Sequence, residues 1–226
     1  MDAAPLGSSA LGANDALSIP HIEQQADAIG VAKIVVSQLE SHLPATARAF
    51  ELARECGVTT LLNPAPINPG VSKALLSLVD IVTPNETEFA FLCQHLLEVT
   101  LPERYWTGDP ETLHNHCRAL GVDTVIVTLG EDGCFVSLSD AAAAITSTPV
   151  YFSVGPAEVT PVDTTGAGDA FNGGLASALS RVGMAQFKAA LVEANQVAGL
   201  SIEKPGTAPA MPTKAEREQR FGAAPE

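Results

Sequence analysis

Up to Gly130 the chain alternates short β-branched runs with segments of helical periodicity, and that alternation constrains its fold more than any other feature. VAKIVVS (Val31–Ser37), VTTLLN (Val58–Asn63), DIVT (Asp80–Thr83) and DTVIVTLG (Asp123–Gly130) are brief and rich in Val, Ile and Thr, as suits buried parallel strands. Between the first two, Pro44–Cys56 carries apolar residues at helical spacing and runs into Gly57, a suitable C′ residue. Further helices are expected near Val71–Leu78, over NETEFAFLCQHL behind a capping Asn85, and over Pro110–Leu120. Parallel neighbours need a crossover between them, so the pattern predicts an α/β layered sheet with mostly parallel strands.

Beyond Gly130 the pattern changes. EDG (Glu131–Gly133) is a turn signal between apolar runs, and CFVSL (Cys134–Leu138) and TPVYFSV (Thr148–Val154) read as antiparallel strands. Helices are expected over Ala167–Arg181 and Met184–Leu200, a loop over EKPGTAPAMP, and a frayed polar helix or tail at the end. With no internal repeat and no dividing linker, residues 1–226 read as one domain.

Composition removes several function classes. Lys and Arg number 12 against 26 Asp and Glu, a formal net charge of −14 that repels nucleic-acid backbones and anionic lipid. Neither nucleic acid nor membrane is therefore expected as a partner. A phosphate can still be held by backbone N–H groups at a helix start. Cys56, Cys93, Cys117 and Cys134 form no C-x-x-C pair and read as buried, reduced thiols of a cytoplasmic protein. No apolar run reaches the roughly 18 residues of a membrane-spanning helix, and no basic region follows Met1.

The sharpest chemical signal is VDTTGAGDAFNGGL (Val162–Leu175). Gly166, Ala167 and Gly168 precede a helical run, so their backbone can turn tightly and present N–H groups at a helix start. Such an anion hole suits a phosphoryl group in transfer. Asp169 is out of place beside an anion site unless it takes the proton of an incoming hydroxyl. The alternative is a glycine-rich turn in which Asp169 is an ordinary first-turn residue. Neither a G-x-G-x-x-G nor a G-x-x-x-x-G-K-[ST] motif occurs here.

The whole phrase DTTGAGDAFNGG resembles the signature of the ribokinase family of sugar kinases, and the resemblance keeps its order along almost the entire chain. TPNETE (Thr83–Glu88) is similar to the family's N-x-x-E element, which implies that Asn85 and Glu88 organise Mg²⁺ and the phosphates of ATP. Taken alone, the same pair describes a helix capping box. TLGEDG resembles a nucleotide-contacting strand end and turn, implying ATP contacts at Thr128, Leu129, Gly130, Glu131, Asp132 and Gly133; the turn by itself is also a plain hairpin. NPAP (Asn63–Pro66) and GAND (Gly12–Asp15) extend the match. The resemblance further places Asn195 near the adenine and Glu40 near the sugar hydroxyls, where an exposed polar helix residue and a solvated strand end are the plain alternatives. It also implies a K⁺ site around Asp163, Thr165, Ser201, Lys204, Gly206 and Ala210, formed mostly by backbone carbonyls and bracing the anion hole.

The expected fold is thus a ribokinase-like layered α/β domain, and the expected reaction is ATP-dependent phosphorylation of a pentose, the 5-hydroxyl of ribose. Two alternatives stay open: another sugar or nucleoside kinase of the family, or a nucleotide-binding remnant without turnover. Family members are longer at the start, where they hold the opening strands, a sugar-binding Asp, a Gly-Gly hinge and a β-lid; no counterpart is legible here. A mispredicted start, a fragment and a shortened protein would each account for that. The resemblance then implies an unpaired sheet edge, Mg·ATP binding with little ribose turnover by these residues, and a homodimer in the full-length form.

Overall fold

The alternating runs close into one six-stranded sheet in the computed structural model, which describes residues 12–14 and 16–223. Strands β1 (Ile34–Ser37), β2 (Thr59–Leu62), β3 (Ile81–Val82), β4 (Thr124–Thr128), β5 (Cys134–Leu138) and β6 (Tyr151–Val154) lie side by side in chain order. The first four are parallel, while β5 pairs antiparallel with both β4 and β6. The helices are α1 (Ile19–Glu23), α2 (Ala26–Val31), α3 (Leu43–Glu55), α4 (Lys73–Leu76), α5 (Glu86–Leu97), α6 (Pro110–Ala119), α7 (Asp140–Thr146), α8 (Ala167–Val182), α9 (Phe187–Ser201) and α10 (Lys214–Phe221).

The two-residue repeat of the strands sorts the core into two layers. Leu62, Val82, Val125 and Val127 pack with Phe50 of α3, Leu75 of α4, Phe89 of α5 and Leu113 of α6. Leu61, Ile81 and Ile126 point the other way, onto Ala142 of α7, Phe171 and Leu175 of α8 and Leu191 of α9. Both faces of β2, β3 and β4 are therefore covered, which explains their continuous apolar runs. Each fully buried Phe or Leu in these layers contributes about 1.5–3 kcal/mol relative to exposure. Helices α8 and α9 approach closely because Gly174 has no side chain; a Cβ there would lie 3.0 Å from Val197 Cβ and 3.2 Å from Ala194 Cα.

Several elements depart from the sequence expectation. The helix expected near Val71–Leu78 shrinks to α4, capped by Ser72, whose hydroxyl accepts from the Leu75 N–H at 3.2 Å. Helices α1 and α2 were not foreseen, nor was α7, which Ser139 caps and which joins the two antiparallel strands. The expected tail is the helix α10, fixed by a reciprocal Thr213–Glu216 capping box and by Arg217, only 4% exposed. Cys93, Cys117 and Cys134 are buried as expected, and burial pushes the Cys93 and Cys134 thiols up to about 12; Cys56 is exposed instead, at the C-cap of α3. Of the GAND element, Gly12–Asn14 form a 3-10 turn and Asp15 lies outside the described residues. Among the described residues β1 has β2 as its sole neighbour, and Val36 is 44% exposed. No helix of the described residues is long and apolar enough to cross a membrane.

Candidate active site

All four parallel strands run out at one edge of the sheet, where α/β sheets bind their ligands. Helix α8 starts at that edge. Gly166 caps it with φ +82°, a left-handed conformation that glycine adopts without strain, and packs beneath Thr207 and Met211. Ala167, Gly168 and Asp169 form the first turn. Helix geometry leaves N–H groups there without intrahelical acceptors. The Ala167 N–H is an exception, donating to Thr164 O at 3.2 Å, so Gly168 and Asp169 present the amides best placed for an anion. The Asp169 carboxylate is exposed, and its one hydrogen-bond partner among the described residues is Gln38 Nε2 at 3.5 Å, just past the end of β1.

A buried strut fixes this helix start against the sheet. The Thr83 hydroxyl, at the end of β3, donates to Asn172 Oδ1 at 2.7 Å, and Asn172 Nδ2 donates to Gly168 O at 2.9 Å. Thr83 and Asn172 are 3% and 6% exposed. The first turn of α8 is thus tied to the strand that leads directly into Asn85.

Asn85 and Glu88 form a reciprocal capping box at the start of α5. Asn85 Oδ1 accepts from the Glu88 N–H at 2.9 Å, while Glu88 accepts from the Asn85 N–H at 2.9 Å and from Asn85 Nδ2 at 3.0 Å. Burial raises the Glu88 carboxyl above its ordinary value, against the pull of the Asn85 N–H. Alongside, Thr128 bridges to Asn85, and its N–H donates to Pro84 O at 2.9 Å. Leu129 and the 3-10 turn Gly130–Asp132 follow, closed by the Leu129 N–H to Gly133 O bond at 2.8 Å. Gly133 takes φ +81°, and a Cβ there would lie 2.1 Å from Val154 O, so this turn requires glycine. Asn195, half-buried on α9, donates to Gly155 O at 2.9 Å, which places it beside the end of β6.

The two loops expected to form the cation site do meet. Val162 and Asp163 donate backbone N–H groups to Ile202 O, and the Asp163 carboxylate accepts from the Gly206 N–H at 2.9 Å and the Thr165 N–H at 3.0 Å. Those bonds, Gly206 first, hold the Asp163 carboxyl down at about 2. Ala210 is buried next to this loop. Two side chains are engaged outside the junction: the Ser201 hydroxyl donates to Ala198 O at 2.8 Å and Lys204 Nζ pairs with Glu216 at 2.8 Å, so only backbone carbonyls of these two residues could serve a cation. Glu40, after β1, is half-buried with no side-chain partner among the described residues. No three His, Cys, Asp or Glu side chains converge on a metal site among the described residues.

The sequence reading missed Gln38, Thr83 and Asn172. Thr83 and Asn172 both lie inside the motifs it quoted, yet only the fold shows that the two motifs touch.

A layered α/β sheet with a glycine-led helix start and an exposed carboxylate at its carboxyl edge defines a carbohydrate-kinase type of fold. The chain belongs to the pfkB family of carbohydrate kinases, whose pattern matches residues 9–214. It is 34% identical over 208 residues to the ribokinase of Staphylococcus aureus and 35% identical over 207 residues to that of Haemophilus influenzae. Each alignment takes in 92% of this chain but only 62% and 61%, respectively, of the relative. The crystal structure of Thermotoga maritima ribokinase superposes with a TM-score of 0.75 at 26% identity, covering 92% of this chain and 62% of that one. The chain therefore spans less than two thirds of the length of the ribokinases it resembles.

Proposed function

We propose that this chain, as a single carbohydrate-kinase domain, binds Mg·ATP at the carboxyl edge of its sheet and transfers the γ-phosphoryl group to the 5-hydroxyl of ribose. The observation that carries the reading is the exposed Asp169 carboxylate in the first turn of α8, held between Gln38 and the Thr83–Asn172 strut. In the reaction Asp169 takes the proton of the sugar hydroxyl as that oxygen bonds to the γ-phosphorus. The bond from phosphorus to the bridging oxygen breaks, and ADP leaves with the electron pair. The Gly168 and Asp169 amides, presented by the Gly166–Ala167–Gly168 turn, stabilise the charge on the transferred group, aided by the positive end of α8.

Thr128–Gly133 and Asn195 line the nucleotide, and Glu40, free of other side-chain partners among the described residues, meets the sugar hydroxyls. Both Glu88 oxygens are already engaged by Asn85, which fits a water-mediated rather than direct contact with Mg²⁺. Magnesium, carried in with ATP, offsets phosphate charge. The anionic Asp163, joining the Thr165 and Gly206 loops, fits a K⁺ ion held with the backbone carbonyls of Ser201, Lys204, Gly206 and Ala210. Such an ion supplies positive charge behind the anion hole.

Calorimetry with Mg·ATP and a coupled assay of ribose-dependent ADP release test the proposal on the purified chain. Saturable Mg·ATP binding with ribose-dependent release supports it. Binding without release favours the nucleotide-binding alternative, and no binding by a folded chain overturns both.

A further inference from the structure

The segment between α5 and α6 reaches back over the two elements assigned to the nucleotide. A 3-10 turn, Tyr105–Thr107, places neighbouring aromatic side chains on different partners. The Tyr105 hydroxyl donates to Glu86 O, in the first turn of α5, at 3.0 Å. The Trp106 indole N–H donates to Asp132 Oδ2, in the Gly130–Asp132 turn, at 3.0 Å. Tyr105 is anchored by the buried Phe89 ring, 5.6 Å away, and meets the Trp106 ring edge-on at 5.1 Å. The Arg104 guanidinium lies 5.9 Å from the Trp106 ring centroid. Arg104 also carries φ +51°, a left-handed conformation that non-glycine residues adopt at some cost.

We propose that Tyr105 and Trp106 form a clasp that positions the nucleotide site by holding the Gly130–Asp132 turn against the start of α5. The clasp rests on the reading that ATP lies between these two elements. Its physical role follows from charge. Asp132 is an exposed carboxylate on a turn that would face an anionic ligand, and a free carboxylate there repels phosphates. The indole N–H fixes that carboxylate toward Trp106, over whose ring the Arg104 guanidinium lies. Trp106 does not need to touch ATP; it is a positioning residue.

Trp106→Phe keeps the ring and removes the N–H. Calorimetry with Mg·ATP is expected to show about three- to tenfold weaker binding, within the range for losing one ordinary hydrogen bond, because this one is exposed to solvent. Hydrogen exchange of the peptide covering 130–133 is expected to speed up while the melting temperature holds. With Asp132→Ala there is no carboxylate left for the indole to hold, so adding Trp106→Phe to Asp132→Ala is expected to weaken binding by less than about twofold further, the non-additivity of two groups acting through one bond. A purely structural role would instead lower the melting temperature of every variant alike and give additive losses of affinity. Since Trp106 is the chain's one tryptophan, its fluorescence reports the same contact independently. Equal affinity in the parent and Trp106→Phe, with unchanged exchange at 130–133, would overturn the clasp. A folded parent that binds no Mg·ATP would overturn the nucleotide reading, and the proposal with it.

Discussion

Replacing Asn172 with Ala removes the strut between the sheet and the start of α8, and its cost can be worked from the geometry. Two buried hydrogen bonds are lost, one of 2.7 Å from Thr83 and one of 2.9 Å to Gly168 O. Each contributes about 0.5–1.5 kcal/mol net. The Thr83 hydroxyl, 3% exposed, keeps only a long 3.4 Å contact to Leu62 O, and a stranded buried donor costs about 1–3 kcal/mol. These terms overlap, so the expected loss is about 2–4 kcal/mol. For a chain of this size that lowers the melting temperature by about 5–12 °C. Thr83→Val removes the donor at nearly constant shape and should cost about 1–2 kcal/mol. Combined with Asn172→Leu, which takes out both polar partners, the two losses should fall short of their sum by about 1 kcal/mol. Denaturant unfolding of the parent, Thr83→Val, Asn172→Leu and the double variant measures this cycle, with Asn172→Ala unfolded alongside. A loss below about 0.5 kcal/mol for Asn172→Ala, or strict additivity, would show that the strut does not hold α8.

Two further substitutions probe the same edge. Gly133→Ala places a Cβ 2.1 Å from Val154 O at φ +81° and should cost about 3 kcal/mol or more, whereas Gly121→Ala, at φ +78° with open space around it, should cost about 1 kcal/mol; thermal melts compare them. Asp163→Asn tests the loop junction through pH. Because the folded carboxyl is held down at about 2, its contribution is present above the ordinary carboxylate value and fades as pH falls toward 2. The parent should therefore be more stable than Asp163→Asn at pH 6, with the gap closing in acid, and a gap independent of pH would contradict the assignment.

Much of the fold was legible because its signals are local. The Val, Ile and Thr runs gave β1 to β6 within a few residues, since strands buried on both faces must be apolar throughout. Asn85 and Gly57 mark helix ends by their own chemistry, and the structure finds each at one. Helix α7 was hidden because DAAAAIT carries no polar face to give it a period, and α1 and α2 because each spans barely more than one turn. The site divided in the same way. The GAGD start and the Asn85–Glu88 pair are contiguous in sequence and were read directly. Gln38 with Asp169, Thr83 with Asn172 and Trp106 with Asp132 are pairs distant in sequence, and only the sheet order brings them together. The cation-site residues were legible only through the family resemblance, because a set made mostly of backbone carbonyls leaves no side-chain signature; the Ser201 and Lys204 side chains bond to Ala198 O and Glu216.

The central claim is that Asp169 removes the proton from a sugar hydroxyl at an anion-binding helix start. The most direct measurement follows transfer of labelled γ-phosphate from Mg·ATP to ribose by the parent chain and by Asp169→Asn, with Mg·ATP binding measured on both. The account expects ribose-dependent transfer by the parent, however slow. It expects transfer to fall by a factor of about 10² to 10⁴ in the variant, the usual contribution of a general base, while ATP affinity stays nearly unchanged. Transfer by Asp169→Asn within about twofold of the parent, or no transfer by a parent that binds Mg·ATP, would contradict it.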